Sequence, residues 1–528
     1  MSSQSFLKGT FVLAISNLIV KILGSIFRIP LGNLIGSDGI GYYQTAYPLF
    51  VAVLAISTSG MPTAISKMVA ERIKLKRYKT AHKIFRLSFL MLSSMGVLSF
   101  LIFFFGAGFL SDMLKDKNAY HSIRALSIAL LIVPCVNAFR GYFQGRGNMV
   151  PTSFSQISEQ FVRVFMGLLL AYMFLPQGKP MAAAGAAFGA SLGGIAALVV
   201  ILLIYIRNKR MIGKEIKICD EKVEEDTGKL IKQMLSIAVP IIIGSLVIPL
   251  MNTIDAAMVK TRLMSGGFSY EQANSLFGQY AGMAMTIVNL PQALTISIAT
   301  SIVPAVSESF VVKDMKNLRK NIVLGTRMSN IIAMPCFVGV MFLSTPIMKL
   351  LYPKEPSSIG EILFAMSFTI VLIALLQTFT AILQAVGKPM LPVVNLFIAS
   401  VFKLIFTYVL TAIPAINVKG AAIGTIAAYV IAMALDYLCI KKMLRVNFRL
   451  KNSVLKPALM SAIMGVMIFI SYNLSFMLIK NMKIACLIAM LFGGATYLFE
   501  LFFMGGLSKT ELLSIPFGKK IAKKIYKD

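Results

Sequence analysis

Residues 9–35 read GTFVLAISNLIVKILGSIFRIPLGNLI. The run is long enough to cross a bilayer, because a helix needs about 20 mostly apolar residues to span the hydrocarbon core. It also carries two cations, Lys21 and Arg28. A charge near the bilayer centre costs at least about 2.5–3.5 kcal/mol, so such a side chain faces a cavity or a partner rather than lipid. Comparable apolar runs recur along the whole chain, and two more are interrupted in the same way, by Arg163 and by Lys403. The chain has 528 residues, is 57% hydrophobic and carries a formal net charge of +31. These features predict an all-α polytopic membrane protein with a positive interior, which suits an anionic cargo. Residues 9–35 are too long for a signal peptide, hold two charges and lack a small-residue cleavage site.

Fourteen spans can be drawn, near 9–35, 41–69, 84–110, 119–144, 151–176, 181–206, 230–260, 276–307, 321–349, 359–386, 389–412, 417–442, 454–479 and 483–505. Charge tests that number. The loop after the second span holds Arg72, Lys74, Lys76, Arg77, Lys79, Lys83 and Arg86, whereas the next has Lys115 and Lys117 offset by Asp112 and Asp116. Basic loops follow the eighth and twelfth spans too, and the chain ends in Lys519, Lys520, Lys523, Lys524 and Lys527. All of these fall on one side if both termini are cytoplasmic, as the positive-inside rule requires. The expected location is therefore the cell membrane. The alternation also accounts for the basic balance without nucleic acid. The polar stretch Arg207–Lys229 reads as a solvated cytoplasmic linker between two halves.

The halves resemble each other. Phe143-Gln144-Gly145-Arg146-Gly147-Asn148-Met149-Val150-Pro151 is answered by Leu383-Gln384-Ala385-Val386-Gly387-Lys388-Pro389-Met390-Leu391-Pro392. Arg163 and Lys403 follow at nearly the same offset, and Gly185-Ala186-Ala187-Phe188-Gly189 matches Gly420-Ala421-Ala422-Ile423-Gly424. Each half holds six spans, so the repeat is parallel, with its axis along the membrane normal. The domain reading is an N-terminal lobe at 1–206, the linker at 207–229, a second lobe at 230–442, and two further helices with a basic tail at 443–528. Transporters often place the substrate site near the midplane of such a repeat.

At about 1.5 Å per residue, Lys21 and Arg163 lie at similar depth, about 18 Å in. Lys403 matches them in the second half. Arg28 lies two helical turns beyond Lys21 on nearly the same face, and Arg140 and Arg146 bracket the end of the fourth span. Glu159 stands four residues before Arg163, the spacing of an intrahelical ion pair. The candidate cargo-binding set is thus Lys21, Arg28, Arg163 and Lys403, with Arg140 and Glu159. Pro30, Pro134, Pro240, Pro249, Pro291 and Pro304 are candidate hinges.

Other classes find little support. There is no phosphate-binding Gly-x-x-x-x-Gly-Lys-Ser/Thr loop, so ATP is not the expected driver. Cys135, Cys219, Cys336, Cys439 and Cys486 show no metal spacing. Asp38, Asp112 and Asp116 are too scattered for a catalytic outer loop, so an enzyme is not expected.

Several segments carry a family resemblance. They are Arg140-Gly141-Tyr142-Phe143-Gln144-Gly145, Asn148-Met149, Pro151-Thr152, Ser155-Gln156 and Glu159-Gln160-Phe161-Val162-Arg163-Val164. With Leu7-Lys8-Gly9-Thr10, Gly39-Ile40-Gly41-Tyr42-Tyr43-Gln44 and Pro62-Thr63-Ala64-Ile65-Ser66-Lys67, they resemble the polysaccharide-transport branch of the MOP superfamily. Within it they resemble the stage V sporulation protein B-like group, and MurJ-type lipid II flippases belong to the same superfamily. The resemblance implies a two-lobed alternating-access transporter of a lipid-linked, pyrophosphate-bearing saccharide. No arginine stands between Leu276 and Ser307, where the MurJ type differs. The resemblance also implies sodium ligands at Asp255, Asn395 and Thr425, with Ala399 where a second carboxylate is expected. Sodium or the membrane potential is then the expected driving force, with no other cofactor.

The resulting expectation is a flippase for an undecaprenyl-pyrophosphate-linked cell-wall precursor, peptidoglycan or a related polysaccharide. It would act as a monomer among membrane lipids, with cell-wall synthesis proteins as candidate partners. The rivals are a cation-coupled drug exporter of the same superfamily, which would need cavity carboxylates, and a membrane scaffold or glycosyltransferase.

Overall fold

The computed structural model describes residues 3–218, 225–448 and 451–503. Among them every regular element is helical. In chain order these are α1 (Ser3–Ala55), α2 (Met61–Lys74), α3 (Tyr78–Phe105), α4 (Ala107–Met113), α5 (Tyr120–Gly145), α6 (Val150–Phe174), α7 (Lys179–Ile218), α8 (Thr227–Ser265), α9 (Tyr270–Phe277) and α10 (Met285–Asn289). They continue with α11 (Gln292–Val311), α12 (Met315–Phe342), α13 (Ser344–Leu351), α14 (Ser358–Ser367), α15 (Thr369–Ala385), α16 (Met390–Leu410), α17 (Lys419–Leu444), α18 (Lys456–Ile479) and α19 (Met482–Phe503).

Among the described residues, thirteen segments are long and apolar enough to cross a membrane, and the first of them, Ile15–Lys74, is 60 residues long. That first segment is two crossings. Its helix breaks at Gly36, whose φ of 71° and ψ of 178° belong to a region that only glycine enters cheaply. Residues 28 and 47 would stand about 28 Å apart along a straight helix. Instead, the Arg28 guanidinium lies 6.0 Å from the Tyr47 ring. α1 therefore folds back on itself at Gly36, and the fourteen expected spans are accounted for.

One expected span differs. Residues 276–307 do not form a single helix: α9 runs into a π-helical turn, Gly278–Ala284, and Pro291 then starts α11. A similar π turn, Ile56–Gly60, interrupts the run into α2. Such turns insert a residue into the hydrogen-bond ladder and often mark functional sites.

The internal repeat has a stereochemical basis. α5 ends with Gly147 at φ 73°, and α15 ends with Gly387 at φ 77°. In the first, Gly147 N–H donates to Gln144 O at 2.8 Å and Asn148 N–H to Phe143 O at 3.0 Å. In the second, Gly387 N–H donates to Gln384 O at 3.0 Å and Lys388 N–H to Leu383 O at 2.9 Å. Both are Schellman caps, which satisfy terminal carbonyls and need a left-handed residue. Pro151 then sits in the first turn of α6, where its missing N–H costs nothing.

Contacts divide the chain into two compact units, residues 1–286 with 407–421, and residues 287–406 with 422–528. In the first, Phe85, Phe139, Tyr142 and Tyr205 of α3, α5 and α7 form an aromatic core. In the second, Phe379, Tyr437 and Phe448 do the same.

The described parts of the stretch expected to be a solvated linker, 207–218 and 225–229, are mostly helical. α7 runs on to Ile218 and α8 begins at Thr227. Glu215 pairs with Arg146 at 2.6 Å, and Glu225 with Arg72 at 2.9 Å. Lys83 Nζ adds a bond to Glu225 O at 2.9 Å. Basic side chains from the neighbouring loops thus hold both ends of the stretch. Cys219, Asp220, Glu221 and Glu224, and the lysines of 519–527, lie outside the described residues.

Candidate functional site

The fold-back of α1 brings residues from both its arms together in the first unit. Tyr43 and Tyr47, one turn apart on the second arm, stack with ring centroids 5.3 Å apart and planes 15° from parallel. α6 packs beside α1 and presents Arg163. Its guanidinium lies 5.1 Å from the Tyr47 ring centroid, and its Nη2 donates to the Tyr43 hydroxyl at 3.4 Å. Arg28, from the first arm, lies 6.0 Å from the same Tyr47 ring. Arg28, Arg163 and Tyr47 are half-buried, and Tyr43 is buried. Cation–π contact is worth about 0.5–2 kcal/mol and leaves N–H groups of the guanidinium available to a ligand. Two arginines held this way can meet an anion bearing several oxygens, because their forks match phosphate geometry.

Glu159 is not the partner of Arg163. It accepts from Arg140 Nη2 at 2.8 Å. Arg140 is already oriented by Ser155 Oγ at 2.8 Å and Asn137 Oδ1 at 3.4 Å. α5 thus offers Glu159 a fixed guanidinium, while Arg163 turns to the tyrosines of α1. The helical spacing permitted the pair, and packing chose another. Gly24 lets Gln160 approach this region closely: a Cβ there would stand 3.2 Å from Gln160 Nε2.

Lys21 is exposed on the first arm of α1, and among the described residues it forms no ion pair. Lys403 is buried, in the second unit. Of the residues considered for sodium, Asp255 is buried in the first unit, and Asn395 and Thr425 are buried in the second. The Asn395 amide donates to Asp436 Oδ1 at 2.7 Å, and Thr380 Oγ1 donates to Asp436 Oδ2 at 3.2 Å. Asn395 thus spends its N–H on Asp436.

Sequence reading missed Tyr43 and Tyr47. Their four-residue spacing was visible, but only the reversal at Gly36 aims them at Arg28. Asp436, which sequence alone could not assign as a counter-charge to the buried cations, stands buried beside Asn395.

The sequence model of the polysaccharide biosynthesis protein family matches residues 6–310. The chain belongs to that family. The MatE model also matches, over residues 280–409. Among characterised relatives, lipid II flippase MurJ of Bacillus subtilis is 28% identical, the match covering 96% of this chain and 97% of that one. Stage V sporulation protein B of the same organism is 27% identical, with 98% of each chain covered. Of solved structures, lipid II flippase MurJ in an inward closed conformation superposes with a TM-score of 0.63 at 18% identity, covering 94% of this chain and 99% of that one. An inward-facing multidrug resistance MATE family transporter of the MOP superfamily gives 0.67 at 15% identity, covering 82% and 98%. This member of the polysaccharide biosynthesis protein family is a multi-pass membrane transporter.

Proposed function

We propose that this transporter flips an undecaprenyl-pyrophosphate-linked saccharide, a peptidoglycan precursor or a related cell-wall polysaccharide unit, across the cell membrane. The observation that carries the reading is the pair Arg28 and Arg163 flanking Tyr47. A pyrophosphate spreads its charge over several oxygens and suits two adjacent guanidiniums. Lys21 adds a further cation in the first unit, and the prenyl chain stays in lipid. Arg140 and Glu159 brace the site rather than touch cargo. The driving force in this reading is the membrane potential or an ion gradient such as sodium, tested by flux with and without each.

The test is native mass spectrometry of co-purified lipids, followed by flipping of a fluorescent lipid-linked pyrophosphate disaccharide in proteoliposomes. Arg28→Ala with Arg163→Ala should lose both binding and flux. Organic cations binding in place of the lipid would overturn the reading in favour of a drug exporter.

A further inference from the structure

One end of the first unit is closed by polar contacts away from the arginine–tyrosine cluster. Asp116, which caps the 3-10 turn Lys117–Ala119, is 1% exposed, as is Lys260 of α8. The Lys260 ammonium is paired with Asp116 Oδ2. It also donates to Thr45 Oγ1 at 2.7 Å and lies 5.7 Å from the Phe277 ring centroid. The other carboxylate oxygen of Asp116 accepts from the Tyr270 hydroxyl at 2.5 Å and from Asn118 N–H at 3.0 Å. Thr45 lies in the second span and Asp116 in the loop after the third, whereas Lys260 ends the seventh span and Tyr270 lies in the loop after it.

A seam of close contacts surrounds this group. Ser37 Oγ meets Ser275 Oγ at 2.7 Å, Asn274 Nδ2 donates to Asp38 O at 2.9 Å, and Gln44 Nε2 donates to Ala281 O at 2.6 Å. A Cβ on Gly41 would stand 2.5 Å from Asn274 O, and one on Gly278 would stand 2.0 Å from Ser37 O. The second arm of α1 therefore meets α9 and its π turn backbone to backbone. A hollow of about 450 Å³, lined by Asp112, Lys115, Asp116, Lys117, Asn118 and Tyr270, lies beside Asp116.

A buried ion pair contributes little net stability, because desolvation opposes the attraction. It is strongly directional all the same, and stranding one partner is costly. When such a seam opens, water restores the solvation both charges gave up, which offsets the lost attraction. That combination suits a contact that must be specific when shut and cheap to part.

We propose that Asp116, Lys260, Thr45 and Tyr270 form a polar lock that holds this end of the first unit shut and parts during the transport cycle. The lock rests on the chain being a transporter and not on the identity of its cargo. The test uses full-length protein in nanodiscs, with its native cysteines replaced. Spin labels at Asp112→Cys and Glu271→Cys, both exposed, read the distance across the seam. The expected result is two distance populations, with the longer one several-fold larger in the variant Lys260→Met, which strands the Asp116 carboxylate unless the seam opens to water. A single short distance in both proteins would overturn the lock. If that variant does not fold, a second arm decides. It places the same probes, as orthogonal unnatural-amino-acid labels, in the variant Ser37→Cys with Ser275→Cys. Oxidation should then remove the longer population and reductant should restore it. Identical distributions before and after complete cross-linking would overturn the proposal.

Discussion

Glu159 has two arginines within reach of its sequence neighbourhood and pairs with only one, and the consequences of mutating each differ. Glu159→Gln removes the carboxylate that holds Arg140, whose side chain is 9% exposed. Glu159 itself is 23% exposed, so water shares part of the loss, and a cost of about 1–3 kcal/mol is expected. Arg163→Ala strands no carboxylate, because its partners are the hydroxyl and ring of two tyrosines. Thermal melting in detergent should therefore fall for Glu159→Gln and change little for Arg163→Ala, while lipid capture should fail only for Arg163→Ala. A larger melting drop for Arg163→Ala than for Glu159→Gln would contradict this assignment. Lys21→Ala, at an exposed position, should melt like the parent. The cationic residues were legible in the sequence because a charge in an apolar run stands out by composition alone. Their partners were not, because rotamer choice depends on which neighbouring helix presents a suitable group once the elements are packed.

At the scale of elements, caps and loop ties decide the outcome. α11 ends at a Schellman turn in which Lys313 takes φ 57°. A non-glycine residue there costs roughly 1–2 kcal/mol. Lys313→Gly should raise stability by about 1 kcal/mol after the entropy cost of glycine is subtracted, and Gly387→Ala should lower it by a similar amount. Melting curves of the two variants should move in opposite directions. The linker ties give a pH signature. The Arg72 hydrogen bonds and charge hold the Glu225 carboxyl below its ordinary value. A depressed carboxylate contributes stability above its unfolded pKa of about 4.3 and loses it as pH falls through the folded value. Glu225→Gln should therefore melt below the parent at neutral pH, and the two curves should converge as pH drops below about 4. A gap that persists in acid would mean that the pair is not its source.

For the whole molecule, the sequence was most informative where the physics is one-dimensional. Apolar length and charge alternation located the crossings, and the repeated glycine after a glutamine marked the two Schellman caps. The eighth span was drawn too smoothly, since a π turn leaves no mark in a hydropathy profile. The polar stretch at 207–229 was read as solvated because ion pairs such as Arg72–Glu225 join residues far apart in the chain. Topology follows from the same charges. Cysteine placed at position 38 should react with an impermeant maleimide on whole cells, and cysteine at position 215 should react only after lysis. Reaction at 215 in intact cells would reverse the orientation of the basic loops.

The stacked pair Tyr43–Tyr47 has an optical consequence. The chain contains 17 tyrosines and no tryptophan. Tyr47→Trp would therefore place a single indole between Tyr43 and two guanidiniums, against a dark background at red-edge excitation. An anion that draws Arg28 and Arg163 off the ring changes the polarity and quenching that the indole experiences. Emission from that one chromophore then becomes a titration of the site, measured in membranes without any labelled lipid.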